Sequence, residues 1–145
     1  MTDRQLEKAL KIVDAAAESG ADILKLQTYT ADTMTLDLMN DEFFINDKQS
    51  LWKGQSLYSL YRKACTPWEW LQPLMERAKS HNIYCFSTPF DDSAVEFLED
   101  HNVPFYKIAS QECIDLPLIR RVAETKKPII ISTGMASISE ISEAV

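Results

Sequence analysis

The fold is decided by the stretch Ile83-Tyr-Cys-Phe-Ser-Thr-Pro-Phe-Asp-Asp-Ser-Ala-Val-Glu-Phe-Leu-Glu-Asp100. Its first six residues are largely apolar, and this short run predicts a buried β-strand over residues 83–88. A few polar residues then lead into a helix that is predicted over residues 94–100. Short apolar strands that alternate with helices are typical of a parallel sheet covered by helices.

The same strand-and-helix unit recurs on both sides of this stretch. Strands are predicted over residues 23–28, 83–88, 105–109 and 128–133. Helices are predicted over residues 2–19, 67–80 and 94–100, around residues 118–124, and from about residue 138 to the last residue. Capping-box patterns that begin at Thr2, Thr66, Ser93 and Ser137 support four of the helix starts. Residues 29–62 form a long, aromatic-rich excursion after the first strand, and its end over residues 57–65 is predicted to be helical.

The glycines decide between the two parallel architectures, the open doubly wound sheet and the eight-stranded barrel. The chain has only three glycines, Gly20, Gly54 and Gly134. They lie too far apart to form the G-x-G-x-x-G turn of dinucleotide-binding folds or a P-loop. The sequence therefore predicts an α/β chain with about four parallel strands, and the low glycine count favours the (β/α)8 TIM barrel.

Composition narrows the class of protein further. The chain has 145 residues, 46% of them hydrophobic, and a net charge of −7, which excludes a disordered chain and disfavours nucleic acid as a partner. No apolar run approaches the ~20 residues of a membrane span, and no secretory leader is evident. The three cysteines, Cys65, Cys85 and Cys113, form no C-x-x-C pair and are odd in number, which favours a reducing environment. We therefore expect a cytoplasmic protein.

The carboxyl ends of the predicted strands are unusually polar. Lys25 and Gln27 lie on the first strand, Thr88 and Phe90 at the end of the second, Lys107 on the third with Ser110 and Glu112 after it, and Ser132 on the fourth. An unpaired ammonium group inside an apolar strand is costly, so Lys25 and Lys107 need a compensating charge. A small polyanion, phosphate or carboxylate, would compensate both. Alternatively, either lysine pairs with a carboxylate of the chain, such as Asp22 or Glu112.

The chain resembles the sialic acid synthase family in several ordered motifs. The matching stretches are Lys25-Leu-Gln-Thr-Tyr-Thr-Ala-Asp-Thr-Met-Thr-Leu-Asp37, Phe86-Ser-Thr-Pro-Phe-Asp91, Tyr106-Lys-Ile-Ala-Ser-Gln-Glu112 and Ile130-Ile-Ser-Thr-Gly-Met-Ala136. Three further stretches, Leu51-Trp-Lys-Gly54, Leu57-Tyr-Ser-Leu-Tyr61 and Thr66-Pro-Trp-Glu-Trp70, are most similar to its pseudaminic acid synthase branch. Together these motifs cover nearly the whole chain.

The resemblance implies a synthase that condenses phosphoenolpyruvate with the aldehyde of an acetamido sugar, releasing phosphate and forming a nine-carbon keto acid. The family's phosphoenolpyruvate-binding positions correspond to Lys25, Thr88, Lys107, Ser110 and Ser132. Gln27 and Phe90 correspond to positions that face the sugar, and Glu112 to an acidic, catalytic position near the reacting centre. The resemblance also implies a divalent metal, Mn or Mg, and a full-length homodimer.

The chain departs from the family pattern at both ends of the barrel. Residues 1–145 contain no counterpart of three features of the family. These are its first strand, the metal-binding histidines of its later strands and its C-terminal antifreeze-like domain. We therefore expect residues 1–145 to be an incomplete barrel domain that contains the second to fifth β/α units. The metal ligands are then expected outside this chain, and the isolated chain is expected to be inactive. His81 and His101 follow helices, away from the polar strand ends, and are not assigned as ligands.

Two other functions remain open at the level of sequence. A Schiff-base aldolase would use Lys25 or Lys107 to attack a carbonyl substrate. A non-catalytic half-barrel would instead associate with itself or a partner through its open edges.

Overall fold

The computed structural model describes residues 3–145, and the side chains from residue 5 onward. The helices are α1 (Asp3–Glu18), α2 (Ala31–Met34), α3 (Leu57–Ala64), α4 (Leu71–Ser80), α5 (Asp92–Asp100), α6 (Leu116–Ala123) and α7 (Ile138–Ala144). The strands are β1 (Ile23–Thr28), β2 (Tyr84–Pro89), β3 (Tyr106–Ile108) and β4 (Ile129–Ile131). Every strand and long helix that the sequence predicts is present within this part of the chain.

The four strands form one parallel sheet in the order β1-β2-β3-β4. Each strand pairs with the next one along the chain, and helices connect them. This sequential order is the order of strands in a β/α barrel, whereas an open doubly wound sheet reverses its order part-way. The predicted fold class, an α/β chain of parallel barrel-type strands, is confirmed.

One face of the sheet carries the hydrophobic core. Tyr106 and Ile108 of β3 are fully buried against Val95 and Leu98 of α5 and Val122 of α6. On α4 the buried residues Leu71, Leu74 and Ala78 recur at helical spacing, so this helix presents one apolar stripe to the sheet. The helices therefore cover this face, and alternate residues of each strand point to the opposite face.

Two predicted helix caps are wrong, and the structure shows what replaces them. Helix α5 begins at Asp92, and the carboxylate of Asp91, not the hydroxyl of Ser93, accepts hydrogen bonds from the backbone. Thr66 makes no cap, because a short 3₁₀ turn over Trp68–Trp70 precedes α4. The predicted capping box of Ser137 and Glu140 at the start of α7 is confirmed. The predicted cap at Thr2 lies outside the described residues.

The long excursion is folded back onto the end of β1. Its predicted terminal helix is confirmed as α3, and an antiparallel bridge joins Phe44 to Ser56. The hydroxyl of Tyr58 on α3 donates a hydrogen bond to Asp32 on α2 at 3.0 Å. The rings of Tyr61 on α3 and of Phe90 after β2 both contact the ring of Tyr29, which ties the excursion to the carboxyl end of the sheet. Within residues 3–145, no helix combines the length and apolar character that a membrane span requires.

Candidate active site

The register of the strands places the predicted site residues on the face of the sheet opposite the core. Lys25 is paired with Phe86, and Gln27 with Thr88, so these four residues share a face. Lys107 lies between Tyr106 and Ile108, both of which point into the core. It therefore points to the same face as Lys25. The three strands thus bring two lysines and a threonine together on one surface.

We call Lys25, Thr88, Lys107 and Ser132 the carboxyl-edge cluster. The ammonium group of Lys107 donates a hydrogen bond to the Ser132 hydroxyl at 2.5 Å and another to the backbone carbonyl of Ile108. Burial and the nearby positive charge of Lys25 both lower the pKa of Lys107, while the carboxyl group of Glu112 opposes this shift. The two lysines thus form a local concentration of positive charge.

The alternative in which each lysine pairs with a carboxylate is not realised. Among the described side chains, neither Lys25 nor Lys107 has a carboxylate oxygen within 4.0 Å. Asp22 therefore does not pair with Lys25, and Glu112 affects Lys107 only from a longer distance. The positive charges of the carboxyl-edge cluster are available to a bound anion.

Two buried polar atoms beside these lysines have no hydrogen-bond partner among the described residues. They are the hydroxyl oxygen of Thr88 and the Oε2 atom of Glu112. Buried polar groups are nearly always hydrogen-bonded, so such atoms are typical of sites that bind something else. Burial raises the pKa of the Glu112 carboxyl group, and the nearby Asp115 raises it further, whereas its own backbone N–H and Lys107 lower it. A carboxyl group with a raised pKa can hold a proton and donate it.

The remaining predicted residues lie on the same strands or in the connections that follow them. Gln27 is exposed at the end of β1, and Phe90 is half-buried directly after β2. Ser110 is half-buried in the connection between β3 and the 3₁₀ turn Glu112–Ile114. All the predicted site residues lie on strands or on the connections that follow them. The roles assigned to the individual residues stay predictions.

Sequence inspection missed one residue of this region, Tyr29. It follows β1 directly and is buried, with 7% of its surface exposed. Its ring contacts the rings of Tyr61 and Phe90, and Trp68 donates an indole N–H hydrogen bond to its backbone carbonyl. Its position one residue beyond a polar strand end could have indicated that Tyr29 belongs to the site. Its contacts could not be deduced, because Tyr61 and Trp68 are more than 30 residues away along the chain.

The described residues do not form a metal site. Within residues 3–145, no three His, Cys, Asp or Glu side chains cluster closely enough to hold an ion. His81 hydrogen-bonds to Asp14 on α1, and His101 to the backbone carbonyl of Phe97 on α5. Both histidines are therefore used for contacts within the helical layer.

The fold and the site together define a class of protein, the parallel β/α proteins with a cationic cluster at the carboxyl edge of the sheet. Within this class the chain belongs to the NeuB family, whose family model matches residues 12–145. It is 46% identical over 143 residues to a pseudaminic acid synthase of Helicobacter pylori. It is 35% identical over 144 residues to an N,N'-diacetyllegionaminic acid synthase of Campylobacter jejuni.

These relatives are considerably longer than the chain. The alignments cover 99% and 96% of the chain, but 42% and 41% of the two relatives. Among solved structures, an N-acetylneuraminic acid synthetase of Leptospira borgpetersenii has a TM-score of 0.80 and 29% identity. That match covers 97% of this chain and 44% of the solved one. The resemblance to the sialic acid synthases that the motifs indicated is thus confirmed.

Proposed function

We propose that this chain is part of a synthase that condenses phosphoenolpyruvate with the open-chain aldehyde of an acetamido sugar. The reaction consumes water, releases phosphate and forms a nine-carbon, sialic-acid-like keto acid. Membership of the NeuB family supports the proposal, as do the names of its relatives. The higher identity to the pseudaminic acid synthase, 46% against 35%, favours a pseudaminic-type sugar over a legionaminic-type one.

The observation that carries the proposal is the positive charge of the carboxyl-edge cluster, which has no carboxylate within 4.0 Å among the described side chains. Phosphoenolpyruvate has a carboxylate and a phosphate, and Lys25 and Lys107, whose positive charges lie near each other, would bind these two anionic groups. The hydroxyl groups of Thr88 and Ser132 would complete the hydrogen bonds to its oxygens, with Ser110 beside them. Both ammonium groups would also stabilise the negative charge that develops on the departing phosphate.

The sugar would occupy the space beside this anion, over Gln27 and Phe90. Gln27 offers an amide group to hydroxyls or to the acetamido group, and Phe90 offers an apolar ring to the C–H groups of the carbon chain. Glu112 lies close enough to influence Lys107 and has a raised pKa. It would act as the catalytic acid that donates a proton during the condensation.

The complete enzyme that we propose extends beyond this chain. We place it in the cytoplasm and expect a homodimer that uses Mn or Mg, an ion that would polarise the aldehyde. Because the described residues form no metal site, the ligands would come from outside residues 3–145. In this proposal the chain contributes the second to fifth β/α units of the barrel.

The test compares two buried threonines in the full-length synthase. Thr88→Val removes a hydroxyl that has no hydrogen-bond partner within the described part of the chain, so stability should be unchanged or slightly higher. The KM for phosphoenolpyruvate should rise by about tenfold or more, because a hydrogen bond to a charged ligand is lost. Turnover is measured as phosphate release in the presence of a suitable amino sugar and manganese.

The control is Thr28→Val on the adjacent strand. Thr28 is equally buried, but its hydroxyl hydrogen-bonds to Ser87 at 2.7 Å on the core face of the sheet. This variant should lose about 1 kcal/mol of stability and keep its KM for phosphoenolpyruvate. A wild-type enzyme that releases no phosphate, or a Thr88→Val enzyme with an unchanged KM, would contradict the proposal.

A second candidate function is supported by the lowered pKa of Lys107. Schiff-base enzymes use a partly desolvated lysine next to another cation, and burial together with Lys25 gives Lys107 such surroundings. Borohydride treatment in the presence of pyruvate distinguishes the two chemistries. A covalent adduct on Lys107 without phosphate release would favour the aldolase, and metal-dependent phosphate release without an adduct favours the synthase.

A further inference from the structure

Tyr29 lies at the centre of an aromatic cluster between the long excursion and the end of β2. Its ring is 5.6 Å from that of Phe90 and 5.9 Å from that of Tyr61, measured between centroids. Both contacts are edge-to-face, with interplanar angles of 81° and 86°. Edge-to-face pairs have a favourable orientation that an aliphatic side chain cannot reproduce. Tyr29 therefore restricts the orientation of both neighbouring rings.

The backbone of Phe90 is already held on both sides. Pro89 is the last residue of β2, and Asp91 caps α5 through hydrogen bonds to Ser93 and Ala94. Rotation of its side chain is therefore the main freedom that Phe90 retains. The contact with Tyr29 restricts that rotation.

Tyr29 is itself fixed from two directions. Its backbone continues from β1, and its carbonyl accepts the indole N–H of Trp68 at 3.3 Å. The next residue, Thr30, forms a capping box with Thr33 at the start of α2. Because Tyr29 is buried, it does not itself present a surface to a ligand. Any effect on the site must act through its neighbours.

We propose that Tyr29 is a positioning residue that holds the ring of Phe90 in the orientation required for binding the sugar. This inference rests on the proposed function, since it takes Phe90 to face the amino sugar. The phosphoenolpyruvate side of the site, formed by the carboxyl-edge cluster, does not depend on Tyr29. The two substrates should therefore respond differently to its replacement.

The experiment is a double-mutant cycle in the full-length synthase with Tyr29→Leu and Phe90→Leu. Tyr29→Leu should raise the KM for the amino sugar by about fivefold to tenfold, the range expected for loss of an aromatic pair. Its KM for phosphoenolpyruvate should stay within twofold of the wild-type value. Once Phe90→Leu is present, adding Tyr29→Leu should raise the sugar KM no further. Tyr29→Phe keeps the ring and should restore the wild-type sugar KM.

The outcomes separate this inference from the function on which it rests. Additive effects of the two leucine substitutions, or equal increases in both KM values, would overturn the positioning role while leaving the synthase activity in place. A wild-type enzyme without turnover would overturn both. If Tyr29→Leu fails to fold, Tyr29→Met takes its place in the cycle, both alone and combined with Phe90→Leu. The proposal then requires the same non-additivity of the two substitutions.

Discussion

At the scale of single residues, Glu99 shows how a charged side chain is accommodated beside the core. Its carboxylate accepts a hydrogen bond from the hydroxyl of Tyr106 at 2.6 Å and another from the ammonium group of Lys127 at 2.5 Å. Tyr106 is fully buried, so its hydroxyl needs this acceptor. Burial alone would raise the pKa of Glu99, but the hydrogen bonds from Lys127 and Tyr106 outweigh it and lower the pKa.

Replacing Glu99 by Gln should lower the free energy of unfolding by about 1 to 2 kcal/mol at pH 7, because a charge-assisted pair becomes neutral. Urea denaturation measures this loss. Glu96→Gln is the matched control on the same helix, since Glu96 is exposed and lies 4.0 Å from Arg121. Such a surface pair contributes little, so this variant should differ from wild type by less than about 0.5 kcal/mol.

The same network predicts a pH dependence of stability. The pKa of Glu99 is lower in the folded chain than in the unfolded one, so its contribution is fully present above the unfolded value of about 4.3. It is lost as the pH falls through the folded value. The stability difference between wild type and Glu99→Gln should therefore shrink between pH 5 and pH 3. A difference that is constant over this range would contradict the assignment.

At the scale of elements, the start of α5 is determined by a side chain two residues before the expected cap. One carboxylate oxygen of Asp91 accepts the backbone N–H of Ala94 at 3.3 Å, and the other accepts that of Ser93 at 3.1 Å. The Ser93 hydroxyl donates to the same carboxylate. A negative charge at this position also interacts favourably with the helix dipole.

Asp91→Ala should therefore destabilise the protein by about 1 kcal/mol, the typical cost of removing an N-cap. Thermal unfolding followed by circular dichroism measures it. Ser93→Ala, which removes the residue favoured by the sequence pattern, should cost less than half as much. The reverse order of the two effects would show that Ser93 is the functional cap.

At the scale of the whole molecule, the face of the sheet opposite the core is largely uncovered. It carries exposed apolar side chains, with Ile23 at 44% exposed, Tyr84 at 63% and Ile130 at 48%. Phe105 stacks on Phe86 between them, with 4.3 Å between the ring centroids. The outer edges of β1 and β4 have no partner strand among the described residues. In a closed barrel, further strands would cover this face and both edges.

The 145-residue chain by itself should therefore bind a hydrophobic dye strongly and show little or no phosphate release from phosphoenolpyruvate and an amino sugar. The full-length synthase is the comparison, and it should bind far less dye per mole. Sedimentation of the isolated chain, with and without phosphoenolpyruvate, reveals whether it associates through its open edges, as the half-barrel alternative requires. Robust turnover by the isolated chain would refute the incomplete-barrel proposal.

The strands were predictable because their signal is local. The run Ile23–Thr28 reads as a strand from its own residues, and the structure agrees with it residue for residue. The predicted strands over residues 105–109 and 128–133 are shorter in the structure, as Tyr106–Ile108 and Ile129–Ile131. Their ends were not predictable, because a strand ends where its neighbour stops pairing.

The sequence by itself determined the fold class, the order of the parallel strands and the polar residues at their carboxyl ends, since these depend on local periodicity and on rules of connection. The tertiary structure decided which of those residues lie together on one face and which groups they contact. Among the described residues, it showed Lys25 and Lys107 without carboxylate partners and the Thr88 hydroxyl without a hydrogen bond, and it showed Tyr29 packed on Phe90. Hydrogen bonding and burial depend on groups that are distant along the chain, and only the folded arrangement brings those groups together.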